Sequence, residues 1–249
     1  MRILCCVKRV PITGGRMVLT ADAQAIETKH LGFTISPHEE CGVEEAVRIV
    51  EAAGGEVVVL TLGPEEAAEQ IRDCMAIGAD RGIQLVTSEE WDAQATAAAL
   101  TEAIRGEEPF DLIVFGNESA DAGGYQVGIR VAYALGLPVV TGLKGLAVDG
   151  GRARCEQEVS GGRDVYDVAL PAVVTVKEGL NLPRYPSVPA KLRAKSKPLD
   201  ARAVDRPASQ LEKLRLVVPE GSRKQAEILG EGREAAPRVV EVLQQLGVA

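Results

Sequence analysis

Histidine is nearly absent: His30 and His38 are the only two in 249 residues. A pair of imidazoles leaves no material for a histidine-rich metal site and little for a Ser-His-Asp triad. Aromatic side chains make up 3% of the chain, so stacking platforms for bases or sugars are scarce. The five cysteines, Cys5, Cys6, Cys41, Cys74 and Cys155, are odd in number and show no Cys-x-x-Cys spacing. That pattern speaks against a disulfide framework or a closed zinc site and reads as reduced thiols, mostly core. No run approaches the roughly 18 consecutive apolar residues of a membrane span. Met1-Arg2 leads straight into Ile3 to Val7, which is too short for a secretory signal. A cytoplasmic protein without direct membrane insertion is expected. The net charge of −8 and pI near 5.0 argue against nucleic acid or an anionic membrane as main partner. No catalytic constellation and no metal site stand out.

Apolar residues, by contrast, are plentiful at 46%, enough for one large core or one domain with an appendage. Ile3 to Val7, Val57 to Leu62, Gln84 to Val86 and Leu112 to Phe115 are short apolar runs, as strands buried on both faces would be. Helical spacing links Val43, Ala46, Val47 and Val50, then Ala67, Ile71, Cys74 and Met75, then Ala93, Ala97, Leu100 and Ile104, then Val127, Val131 and Leu135. Pro11 to Gly15 reads as a turn, and residues 16–36 as a small hairpin or long excursion. Strand and helix alternate to Val139-Val140-Thr141, which predicts an α/β class: an open doubly wound, mainly parallel sheet.

Beyond residue 141 the rhythm changes. Leu143 to Val148, Arg152 to Val159, Arg163 to Leu170 and Ala172 to Val176 follow one another without helices, with turn residues at Asp149-Gly150-Gly151 and Ser160-Gly161-Gly162. An antiparallel extension is expected from them. Leu180 to Pro189 holds three prolines in ten residues and should be a stiff surface segment. A basic run, Lys191 to Lys197, comes after it. Residues 200–235 are polar and broken by Pro207 and Pro219, ahead of an amphipathic helix with Val239, Val242, Leu243 and Leu246. The expected organisation is therefore a nucleotide-binding domain over 1–190 and a C-terminal arm over 191–249 that lies on another surface.

The stretch Asp121 to Gly128 lies between an apolar strand and an amphipathic helix, at the edge where doubly wound folds bind ligands. Its glycines allow positive φ and close approach, and the next helix start offers free N–H groups to an anion. A nucleotide phosphate or a plain connection both fit. Ser160 to Asp164 looks like the phosphate loop of pyrophosphate-cleaving enzymes, but it joins two strands and reads as a hairpin turn. Glu39-Glu40 and Glu44-Glu45 sit near a helix start, where acids favour the positive end of the dipole. Lys8-Arg9 are surface charges, phosphate contacts or subunit contacts. The proline-rich segment is a solvated loop or a docking element that loses little entropy on binding.

Several stretches together resemble the β subunit of electron-transfer flavoproteins: Cys6 to Pro11, Val43 to Arg48, Gly78 to Gly82, Gly116 with Asp121 to Gly128, Leu170 to Thr175, and Leu180 to Pro189. They cover about residues 1–200 in the family's order. The resemblance implies an adenine-nucleotide α-hydrolase-like fold and a heterodimer with an α subunit that holds most of the FAD. It also implies an AMP in this chain, lined by Cys6, Ser36, Pro37, His38, Glu39, Leu62, Asp121, Ala122, Gly123, Gly124, Tyr125, Gln126, Val127, Gly128, Ile129, Arg130, Val131 and Ala132. Partner docking would fall to Pro183, Arg184, Tyr185, Val188, Pro189 and Arg193, with Val188 where leucine is often found. Glu158 matches an acid that holds the mobile flavin domain. Expected electron donors are acyl-CoA or related flavin dehydrogenases, and the acceptor a membrane quinone reductase.

The chain departs from the family at Ser36-Pro37, where Asn-Pro is common, and at Asp121-Ala122-Gly123, where further acids are common. The bifurcating branch, with a second FAD in the β site, shares Gln126-Val127-Gly128 but not Ile129, so AMP is the favoured occupant. An ATP-cleaving enzyme of the related hydrolase folds and a nucleotide-sensing module remain as readings from other classes. The first of these wants a glycine-rich loop with a serine-aspartate pair after the first strand, where this chain has Pro11-Ile12-Thr13-Gly14-Gly15.

Overall fold

A computed structural model describes residues 1–12, 14, 17–207, 211–218 and 227–248. The expected turn at Thr13 and Gly15, the start of the excursion at Arg16 and the break at Pro219 lie outside them. The elements run β1 (Arg2–Cys6), β2 (Val10–Pro11), β3 (Phe33–Thr34), α1 (Pro37–Ala53), β4 (Glu56–Gly63), α2 (Ala68–Ile77), β5 (Arg81–Val86), α3 (Ala93–Arg105), β6 (Leu112–Gly116) and α4 (Val127–Leu135). There follow β7 (Val139–Asp149), β8 (Arg152–Val159), β9 (Gly162–Ala169), β10 (Ala172–Val176), α5 (Val188–Ala194), β11 (Leu199–Ala203) and α6 (Ala236–Gln245). Eleven-to-nine ordering across the main sheet is β11-β5-β4-β1-β6-β10-β7-β8-β9. Pairing is parallel from β11 to β7 and antiparallel from β7 to β9, so the α/β sheet with an antiparallel extension is what the chain builds.

Alternation along each central strand explains why both faces need helices. Ile3 and Cys5 of β1, Val57 and Val59 of β4, Leu112 and Val114 of β6, and Val174 and Val176 of β10 join one core with Val43 and Val47 of α1 and Ile71 and Met75 of α2. Leu4 and Cys6, Val58 and Leu60, Ile113 and Phe115, and Val173 point the other way, onto Leu100 and Ile104 of α3 and Val131 and Ala132 of α4. Each fully buried aliphatic side chain contributes about 1.5–3 kcal/mol, so a run that is apolar on both faces has no stable place outside such a sandwich.

Four expectations need correcting. Ala172–Val176 does not belong to the antiparallel extension: it returns to the parallel region and lies between β6 and β7. All five of its residues are buried, as expected for a central strand and not for a hairpin arm. Val139 to Thr141 and Leu143 to Val148 form one strand, β7, which shifts register near Leu143 and carries Gly142 at φ +67°. The first long helix begins at Pro37, ahead of the apolar spacing from Val43, because Ser36 and Glu39 cap it. Leu199–Ala203, read as part of a polar tail, adds β11 along β5, and Gln84 to Val86 extends back to Arg81. The Asp149 to Gly151 and Ser160 to Gly162 turns do join hairpin strands, as their composition indicated.

Candidate functional site

Cys6 ends β1, and register sets it beside Leu60 of β4 on one side and Phe115 of β6 on the other. The order of strands reverses between β4 and β6 around β1, so this carboxyl edge is the crevice of a doubly wound sheet. The glycine-rich turn leaves β6 here and runs into α4. Gly123 (φ +56°) and Tyr125 (φ +55°) both take the left-handed conformation, and α4 starts without a side-chain cap. Its first N–H groups thus lack an intrahelical partner at the positive end of the helix. Gly128 permits the close approach of α4: a Cβ there would stand 3.0 Å from Thr175 Cγ2 and 3.1 Å from Phe115 Cγ.

The segment ahead of α1 meets this turn directly. Ser36 is buried, and its hydroxyl donates to the Glu118 carbonyl at 3.3 Å. The Lys8 ammonium lies 2.6 Å from Asp121 Oδ2, a partly exposed ion pair that ties the end of β1 to the turn. Arg9 stacks its guanidinium on the Phe33 ring. His38 accepts the Glu178 N–H at Nδ1 (2.7 Å) and places Nε2 3.5 Å from Glu118 Oε1. Glu39 accepts N–H donors from Ser36 (3.0 Å) and Lys8 (3.1 Å). Burial nevertheless outweighs those donors and pushes its carboxyl up to about 8.

Of the residues expected at the nucleotide, Cys6, Ser36, Glu39, Gly128, Val131 and Ala132 are buried, His38, Leu62, Val127 and Ile129 are half-buried, and Pro37, Asp121 to Gln126 and Arg130 are exposed. Arg130 bonds the Gln126 side chain at 3.1 Å. The Cys6 thiol is raised well above its ordinary value, first by burial, then by Cys5 and Glu39, and stays a neutral apolar lining. Sequence reasoning overlooked Glu118, which gathers Ser36, His38 and the Tyr125 hydroxyl, and Asn117, which accepts from Thr175 Oγ1 at 2.8 Å. The only signal was their place between the strand end and the glycines.

The other expected residues lie elsewhere. Glu158 is exposed near the end of β8, separated from β6 by β10 and β7. The proline-rich loop is fastened to α1 by side chains. Asn181 donates to the Cys41 carbonyl (3.0 Å) and Glu45 (2.8 Å), and Arg48 to the Leu182 carbonyl (3.0 Å). Arg184 binds Glu44 at 2.9 Å and Glu51 at 2.6 Å. Burial works against the Glu44 charge, but hydrogen bonds from Arg184 and Arg48 hold its pKa below the ordinary value. Pro183 is half-buried, while Tyr185 (95% exposed) and Val188 (73%) protrude, followed by exposed Pro189 and Arg193. The loop therefore holds exposed apolar side chains on backbone fastened to α1.

Comparison with known proteins points one way. Residues 25–207 match the electron transfer flavoprotein domain. The chain is 36% identical to the electron transfer flavoprotein subunit beta of Syntrophomonas wolfei over 97% of this chain and 95% of that one. It is 32% identical to the subunit of the same name from Bradyrhizobium diazoefficiens over 100% of both. With the mitochondrial subunit beta of Arabidopsis thaliana it shares 35% over 82% of each chain.

Proposed function

The chain belongs to the electron transfer flavoprotein β-subunit family, and from that premise we propose that it is one half of a cytoplasmic heterodimeric electron carrier. It holds a structural AMP at the carboxyl edge of β1 and β6 and helps cradle an FAD bound mainly by the α subunit. Through the proline-rich loop it docks acyl-CoA or related flavin dehydrogenases, whose electrons the complex passes to a membrane quinone reductase. The FAD supplies all redox chemistry when bound. This chain binds, orients and docks, so no side chain is assigned a catalytic step.

The observation that carries the AMP reading is the uncapped start of α4 directly behind left-handed Gly123 and Tyr125. Backbone N–H groups from Tyr125 to Gly128 take the phosphate there. Glu39 supports the same reading, because burial raises its carboxyl to about 8 and so lessens the negative charge at this edge. Cys6, Ser36, Pro37, His38, Glu39 and Leu62 line the remainder, with residues 121–132. At the loop, Val188 and Tyr185 provide apolar contact and Arg184 acts by anchoring the backbone to α1. Glu158 holds the mobile flavin domain, and the C-terminal segment packs on the α subunit.

Co-purification with the α subunit, followed by mass spectrometry of nucleotide released on denaturation, tests the proposal. One AMP and one FAD per heterodimer is the expected result. Two FAD would replace AMP by a second flavin and move the chain to the bifurcating branch; a colourless isolated chain that turns over ATP would overturn the carrier reading.

A further inference from the structure

On one face of the β7-β8-β9 sheet, register sets Glu158 directly opposite Arg163. Opposed side chains of an antiparallel pair have Cβ atoms about 4.5–5.5 Å apart, well within reach of an arginine. Arg163 does not take that partner. Its Nη1 lies 2.7 Å from Oε2 of Glu156, one position along the same face, while Arg154 Nη1 lies 2.7 Å from the other oxygen, Oε1. The Glu156 side chain is 18% exposed against 57% for Arg163 and 60% for Arg154, so the carboxylate is the seated member of the cluster.

Its seat is made by β7. Gly145 pairs with Glu156 across the strands, and a Cβ at Gly145 would stand 3.0 Å from Glu156 Cβ and 3.1 Å from Oε2. A side chain at Gly145 would crowd Glu156 and push its carboxylate from this seat by a few tenths of an ångström. On the same face Arg152 pairs with Asp167 at 2.8 Å. The Glu158 side chain has no ion pair or hydrogen bond among the described residues. Each of these neighbouring charges has a partner within the sheet, two arginines sharing Glu156, whereas the acid assigned to the flavin domain has none.

We infer that Glu156 is a positioning residue: by engaging Arg163 it keeps that cation off Glu158 and leaves Glu158 free for a cationic side chain of the flavin-carrying domain. The inference rests on the reading of Glu158 given above. Without Glu156, Arg163 has its directly opposed acid within reach, and the two would neutralise each other inside one hairpin. The strength with which the flavin domain is held is then set by a competition among three side chains of this chain and one of the partner.

The test uses the FAD-loaded heterodimer carrying one fluorophore on this chain and one on the flavin domain, read as a distance distribution. Glu158→Gln should lower the docked-to-free ratio about two- to fivefold, the range of an exposed ion pair. Glu156→Gln should do the same although it leaves Glu158 in place, and Gly145→Ala, which crowds the same carboxylate, should follow it. The double variant Glu156→Gln/Arg163→Gln should return to the wild-type distribution, a rescue that mere loosening of the hairpin cannot give. Should Glu158→Gln release the domain while Glu156→Gln does not, or while the double variant fails to recover, the positioning role is wrong and the Glu158 contact stands. An unchanged distribution in Glu158→Gln removes the contact itself and the inference with it.

Discussion

Glu39 ties the end of β1 to the start of α1 at the carboxyl edge. Its carboxyl spans the N–H groups of Lys8 and Ser36, and its Cγ sits where a Cβ on Gly116 would come within 2.7 Å. An acid whose pKa is raised in the folded state holds its proton more tightly there than in the unfolded chain. Stability is therefore fullest below the ordinary value of 4.5 and is lost as pH rises toward about 8. At 1.36 kcal/mol per unit the whole effect is on the order of 5 kcal/mol. Glu39→Gln should flatten that slope, read from urea midpoints of the heterodimer across the same pH range; an unaltered slope would place the titration elsewhere. The sequence reading set Glu39 near a helix start and also in the nucleotide lining; the structure has it in the capping box of α1. Its burial was not legible, because that depends on Gly116, 77 positions away, having no side chain.

At the scale of elements, legibility followed chemistry that is local. The continuous apolar runs of β1, β4 and β6 and the spacing of α3 and α4 identify themselves, since each must bury its own pattern. β10 carries an equally apolar run but was assigned by its neighbours to the antiparallel extension, and only the sheet order puts it beside β6. β11, with four of its five residues exposed, had no apolar run to announce it; it exists because β5 offers an open edge. The proline-rich loop was recognisable as stiff, yet its tether was not, because Arg184 reaches 140 residues back to Glu44. Two variants separate tether from tip. Arg184→Ala removes the partner of a buried carboxylate and should cost about 1–2 kcal/mol of stability, discounted because Arg184 is partly exposed and Arg48 still serves Glu44. Val188→Asp should leave the melting temperature and flavin content unchanged but slow electron transfer from the dehydrogenase tenfold or more, roughly the loss of one buried apolar anchor. Equal rates in wild type and Val188→Asp would remove the docking role of the loop.

For the molecule as a whole, what matters is where the apolar surface is left uncovered. The sheet and its helices bury two cores, whereas α6 with its C-cap Leu246 keeps Val239, Leu243 and Leu246 exposed at helical spacing, and the helix has no buried residue. Three apolar residues at i, i+4 and i+7 form one stripe, and a helix with such a stripe is stable in water only when something covers it. Nearer the body, the C-terminal segment is held by backbone and polar bonds, Leu216 N–H to the Ala23 carbonyl at 2.8 Å and Gln24 to the Leu214 carbonyl at 2.8 Å, which fix its path without covering α6. The proposed packing of the C-terminal segment on the α subunit would supply that cover. Burying three large aliphatic side chains contributes roughly 1.5–3 kcal/mol each before the cost of ordering the helix. Deleting residues 236–249 should therefore leave the nucleotide edge and the proline-rich loop intact while weakening association with the α subunit about 100-fold or more. Titration of the two subunits by light scattering or calorimetry measures this directly. A truncated chain that binds the α subunit as tightly as the full one would show that α6 is covered by something other than the heterodimer partner.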